Sequence, residues 1–92
     1  YTYAIFETMK KTPESRVLIA LGKAIRTRRI EIGLSQEAFA QKAKIHRTYV
    51  GSVERGTRNI ALINLIRISK ALELTPQELL QQIADELPDG IF

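Results

Sequence analysis

The sequence predicts an all-α fold, and three observations carry that prediction. Apolar residues recur at spacings of three, four and seven from about Ser15 almost to the C-terminus. Caps and prolines ahead of these runs, and glycines or a proline after them, divide the pattern into five pieces. Alternation of period two, the signature of a half-buried strand, is absent.

The first helix starts at Thr12-Pro13 or at Ser15, and Gly33 stops it. Leu18, Leu21, Gly22, Ile25 and Ile32 form its apolar stripe, while Arg16, Lys23, Arg26 and Glu31 mostly take the other side. A second, short helix opens at Leu34-Ser35-Gln36-Glu37, with Ser35 as cap and Glu37 complementing the dipole. Phe39, Ala40 and Ala43 are its inward residues. After a turn at Lys44-Ile45, a third helix covers about 46–55 and ends at Gly56, with Val50 and Val53 buried and Tyr49 partly so. Thr57–Ala61 is a loop. In the fourth helix Leu62, Leu65, Ile66, Ile68 and Leu72 lie at helical spacing. The fifth has three agreeing start signals: Thr75 caps, Pro76 suits the first helical position, and Glu78 completes a capping box. Leu79, Leu80, Ile83 and Leu87 form its stripe and Pro88 ends it.

The resulting division is an N-terminal extension over 1–14, one folded domain over 15–87 and a short tail over 88–92. Residues 1–8 contain no Met, whereas Met9 opens a plausible start of its own. They read equally as a tag, a processed remnant or a native arm.

Composition narrows the function. With 92 residues, 45% apolar and 26% charged, the chain has an ordinary globular balance. It has no cysteine, which removes disulfides, thiolate metal sites and cysteine catalysis, and suits a reducing cytoplasm. No apolar run reaches the roughly 18 residues that a bilayer requires, so no membrane role is expected. One histidine, no glycine-rich phosphate loop and no evident carboxylate pair argue against an enzyme, a metal site or a cofactor. Residues 1–70 hold all 14 Lys/Arg against five acids, a balance of +9; residues 71–92 hold five acids and no Lys/Arg, a balance of −5. A positive body with a negative tail suits a polyanionic partner.

The third helix shows where such a partner would sit. Two short helices joined by a tight turn form a helix-turn-helix. Arg47, Thr48, Gly51, Ser52 and Arg55 fall on one side of the second, opposite Val50 and Val53. That side has no large apolar side chain and no carboxylate. A guanidinium can grip guanine O6 and N7, hydroxyls serve bases or phosphates, and Gly51 allows close approach to a major groove that admits one helix. His46, at the helix N-terminus, suits a phosphate contact or a cap. Tyr49 fits two readings, a core aromatic or a phosphate ligand.

The stretch LSQEAFAQKAKIHRTYVGSVERG resembles the DNA-binding core of the Xre/Cro family, the group of the lambda and 434 phage repressors, over about residues 16–80. The signatures are Leu34-Ser35-Gln36-Glu37, Ala40, Val53-Glu54-Arg55-Gly56, Arg58-Asn59 and Ala71-Leu72. More narrowly, HRTYVGSVERGTRNIALINL is similar to the controller proteins of bacterial restriction–modification systems, small dimers that regulate their own gene and the endonuclease gene. The resemblance implies a compact five-helix, lambda repressor-like domain that binds double-stranded DNA. It places Arg47, Thr48 and Ser52 at base edges, Gln36 on phosphate through its amide, and Arg55, Arg58 and Asn59 on the backbone beyond the third helix. On their positions in the third helix, and not on the resemblance, His46 and Tyr49 are counted with the phosphate contacts. Arg29 pairs with Glu54, its guanidinium within reach of phosphate. Ala61 departs from the family, which usually has a capping Ser there; losing such a cap costs about 0.5–2 kcal/mol unless Asn59 substitutes.

One domain of this size reads few base pairs, and two-fold dimers overcome that by reading half-sites about 34 Å apart. The stripe of the fifth helix exceeds what the core needs, so Leu79 is assigned to the core and Leu80, Ile83 and Leu87 to a homodimer interface. The leading function is therefore a sequence-specific transcriptional regulator of the restriction–modification controller kind. A phage- or stress-type repressor and an antitoxin or protein-interaction adaptor are the alternatives.

Overall fold

The computed structural model describes residues 12–92; the reading of residues 1–8 falls outside that range. Five helices follow in order: α1 (Pro13–Glu31), α2 (Gln36–Ala43), α3 (Arg47–Glu54), α4 (Leu62–Ala71) and α5 (Pro76–Glu86). No strand occurs among the described residues, as expected for the all-α class. None of the helices there is long and apolar enough to cross a membrane.

Local signals place the ends. Thr12 caps α1 by accepting from Ser15 N, with Pro13 in the first turn, so the helix begins two residues before the domain boundary expected at 15. Ser35 caps α2 through Ala38 N. At the end of α2 Lys44 adopts the left-handed conformation (φ 60°), where Gly or Asn is the usual choice. Ala61 stands at the N-cap position of α4 and the helix has no side-chain cap, so Asn59 does not take over that function.

α5 carries the complete capping box. Thr75 N donates to Glu78 Oε1 at 2.7 Å, and Glu78 N donates to Thr75 Oγ1 at 3.1 Å. The backbone N–H of Thr75, followed by its side chain, holds the Glu78 carboxyl below its ordinary value of 4.5. A carboxyl lowered in the folded state adds stability above its ordinary value and loses it as pH falls through the lowered one. Glu78→Gln keeps an acceptor but cannot titrate. Thermal melts between about pH 6 and about pH 3 are expected to show a shallower acid limb for this variant. Parallel limbs for variant and wild type would show that the box contributes nothing to acid sensitivity.

The helices pack around Phe39, Ile25, Ile68, Leu72, Leu79, Val50 and Val53, all essentially inaccessible to solvent. Burying each such side chain contributes roughly 1.5–3 kcal/mol. α1 packs on α3 and α5, α2 packs on α3 and α4, and α4 packs on α5. Gly22 makes the first of these crossings possible. A Cβ there would lie 2.5 Å from the carbonyl oxygens of both Val53 and Glu54, so α1 touches the end of α3 backbone to backbone. Gly56, at φ +73°, ends the segment after α3 where a Cβ would meet Ile19 Cα at 2.9 Å. Arg28 Nε donates to the Leu72 carbonyl at 3.0 Å and ties the end of α1 to the end of α4.

Of the five α4 residues at helical spacing, Leu62 and Ile66 lie outside the core, exposed at 68% and 46% together with Ile63 at 60%. Half-buried Leu65 and buried Ile68, with buried Leu72 just past the helix end, already form the inward stripe, and positions 62, 63 and 66 project from one flank of it. In α5, Ile83 is a core residue at 7% exposure and Leu87 packs half-buried against the core. Both had been assigned to a dimer interface. α1 and α4 cover Ile83, which corrects its place at the interface, while Leu80 is exposed and Leu87 keeps part of its surface open.

Candidate nucleic-acid interface

A buried polar cluster joins α1 to both helices of the helix-turn-helix. Arg29 reaches Glu54 with two parallel bonds, Nε to Oε2 at 2.6 Å and Nη2 to Oε1 at 3.0 Å. Its Nη1 donates to the Leu34 carbonyl at 2.8 Å. Gln36 Nε2 adds a further donor to Glu54 Oε1 at 3.0 Å. The side chains of Arg29 and Glu54 are 9% and 3% exposed, so the pair is sheltered from screening. The bonds it donates to Glu54 hold the Arg29 guanidinium above its ordinary pKa, against the opposing effect of burial. Each guanidinium nitrogen has an acceptor within the fold and the side chain is 9% exposed, so the approach of Arg29 to phosphate implied by the resemblance is corrected: its bonds are internal. Gln36 likewise spends one amide N–H on Glu54, and only the second is available for a phosphate.

This clamp sets the pose of α3. Arg47 and Thr48, in its first turn, are exposed, and so is His46 at the N-cap position. The His46 side chain makes no capping bond, which leaves the imidazole free to meet a ligand. Arg55, Arg58 and Asn59 are exposed beyond the helix, and Tyr49 is half-buried. These residues, with Gln36 behind them, form a cationic rim around the start and the end of α3. Among the described residues no group of three or more His, Cys, Asp or Glu side chains could hold a metal ion.

Ser52 departs from its expected place at the base edges. It is 7% exposed, and neighbouring Gly51 is buried as well. The helical wheel put both on the outer face, but the chain after α3 folds back over that flank. Ser52 Oγ donates to the Tyr49 carbonyl at 2.8 Å and accepts from Arg58 Nε at 2.9 Å. Thr57 Oγ1 donates to the Ser52 carbonyl at 3.0 Å. The Arg58 guanidinium carbon lies 5.1 Å from the centre of the Tyr49 ring, within cation–π range. A Cβ at Gly51 would meet Arg55 Nη1 at 3.1 Å, so Arg55 also leans over the helix.

The sequence reading missed the Gln36–Glu54 bond, the Ser52–Arg58 contact and the bare flank of α4. A signal for the last was present. Apolar residues at 62, 63, 65, 66, 68 and 72 cover too much of a helix circumference for one buried stripe.

The helix-turn-helix family matches residues 25–79, a span that runs from mid-α1 into α5. The control protein C.BamHI of Bacillus amyloliquefaciens is 40% identical over 67 residues, 72% of this chain and 83% of that protein. The restriction–modification controller protein C.AhdI of Aeromonas hydrophila superposes with a TM-score of 0.66 at 44% identity, covering 67% of this chain and 94% of that one. C.Esp1396I, solved as a tetramer in complex with its natural 35 base-pair operator, superposes with a TM-score of 0.70 at 31% identity over 76% of this chain. The chain therefore belongs to the helix-turn-helix family of DNA-binding transcriptional regulators, and is of the restriction–modification controller type.

Proposed function

We propose that the protein is a homodimer that places one α3 in each of two major-groove half-sites of a two-fold symmetric operator, and so controls a restriction–modification locus in the bacterial cytoplasm. The observation that carries this reading is the exposed Arg47-Thr48 turn at the front of α3, held by the buried Arg29–Glu54 clamp behind it. Arg47 grips a guanine edge with two N–H bonds and Thr48 contacts the neighbouring base. The second amide N–H of Gln36, His46, the Tyr49 hydroxyl, Arg55, Arg58 and Asn59 bind phosphates and set the register. Leu80 of α5 and the bare Leu62, Ile63 and Ile66 of α4 supply apolar surface for a second copy. C.Esp1396I binding its operator as a tetramer supports assembly of more than one copy on DNA.

The test is selection of bound duplexes from a random pool at about 150 mM salt, a concentration that suppresses phosphate-only binding. An enriched sequence with two-fold symmetry and half-sites about one helical turn apart is the expected result. Enrichment of no sequence would overturn the reading. With the site in hand, Arg47→Ala is expected to weaken binding by roughly 1–3 kcal/mol and to relax preference at one base position per half-site. Unchanged sequence preference in that variant would remove Arg47 from the base contacts.

A further inference from the structure

We propose that Ser52 is a positioning residue that holds Arg58 ready for DNA, rather than a base contact. The inference rests on reading α3 and the chain after it as the DNA interface. A serine hydroxyl has one proton, and here it goes to the Tyr49 carbonyl at 2.8 Å. That bond turns the oxygen lone pairs toward Arg58, whose Nε donates to them at 2.9 Å. At 7% exposure, Ser52 lies beneath Arg58 and does not face solvent.

The consequences lie with Arg58. Its guanidinium has five N–H donors. Ser52 takes the Nε–H, and both terminal nitrogens remain for an incoming pair of acceptors. The Tyr49 ring at 5.1 Å supports one face of the guanidinium plane. Thr57, bonded through Oγ1 and through its backbone N to the Ser52 carbonyl at 3.0 and 3.1 Å, holds the backbone next to Arg58 in place. An arginine in an exposed loop normally loses rotamer freedom when it binds a ligand. Here the hydroxyl has already restricted that freedom, and the fork is presented at a set angle to α3. Because Tyr49 and Ser52 sit on the same helix as Arg47, the angle between the Arg47 and Arg58 contacts is built into α3 itself.

Two measurements test this. The first is a double-mutant cycle on the selected operator with Ser52→Ala, Arg58→Ala and the pair. Ser52→Ala is expected to weaken binding about three- to tenfold, the effect of one side chain left to order itself on binding. In the Arg58→Ala background the same change is expected to have little effect. An equal loss in both backgrounds would make Ser52 a direct DNA contact and overturn the proposal, as would no loss in the wild-type background. The second measurement needs no DNA: the exchange rate of the Arg58 Nε–H with water by nitrogen-15 NMR. Slow exchange in the wild type and fast exchange in Ser52→Ala support the contact; fast exchange in both overturns it. If no operator is enriched while Arg58 Nε–H exchanges slowly, the functional reading has failed and the positioning contact has not.

Discussion

Arg29→Ala is expected to lower the unfolding free energy by about 3–5 kcal/mol, the cost of breaking a buried ion pair from one side. The size follows from what remains. Glu54, 3% exposed at its side chain, keeps only the single amide donor of Gln36, and the Leu34 carbonyl loses its partner. A change of this size moves the melting temperature of a domain this small by roughly 15–30 °C, readily seen by circular dichroism. A loss below about 1 kcal/mol, the range of exposed pairs, would show that water reaches the cluster. Replacing both partners by Met is expected to recover a large part of the loss, because no charge is then left buried and unpaired. The pair adds no pH dependence near neutrality from the arginine side. A guanidinium whose pKa is raised by folding keeps its contribution until pH climbs through that raised value, far into the alkaline range.

Gly22→Ala is expected to destabilise by about 3 kcal/mol, at the upper end of overpacking effects. The usual gain from Gly to Ala inside a helix, roughly 1 kcal/mol, is overwhelmed. The added carbon would stand 2.5 Å from two carbonyl oxygens and 2.8 Å from the Glu54 carbonyl carbon, all backbone atoms, so no side chain can rotate away. Relief must come from moving α1 off α3, which also pulls Arg29 away from Glu54. Urea titration should therefore show a lower midpoint, and the expressed variant should bind operator more weakly even at temperatures where it stays folded. A midpoint equal to that of the wild type would mean that the crossing is looser than the structure shows.

Much of the fold was legible because its signals are local. The capping box of Thr75 and Glu78, the Ser35 cap and the glycine stop at Gly56 each involve residues within a turn of one another. The inward faces of α2 and α3 were legible too, since Phe39, Ala40, Ala43, Val50 and Val53 repeat at helical spacing and all are buried. The candidate site was legible only in part. Arg47 and Thr48 lie at the front of α3, where no later segment covers them, and spacing alone identified them as exposed. Spacing put Ser52 on the same face, yet a loop that bends back over a helix leaves no mark in that helix's periodicity. The same limit applied to α5, where the apolar stripe did not tell whether Ile83 meets its own core or a second chain.

The sequence by itself determined the five helices, the inward residues of α2 and α3, and the small cationic turn at the head of α3. Helix formation and amphipathicity depend on residues a few positions apart, so a linear reading reaches them. The tertiary structure alone decided that Arg29 is committed to Glu54 and Gln36, that Ser52 serves Arg58, that Ile83 belongs to the core and that one flank of α4 is bare. Each of these depends on which helices become neighbours and how closely they approach. Hydrogen bonds and burial follow distances in space, and the path of the loops, not the spacing of residues along one helix, sets those distances.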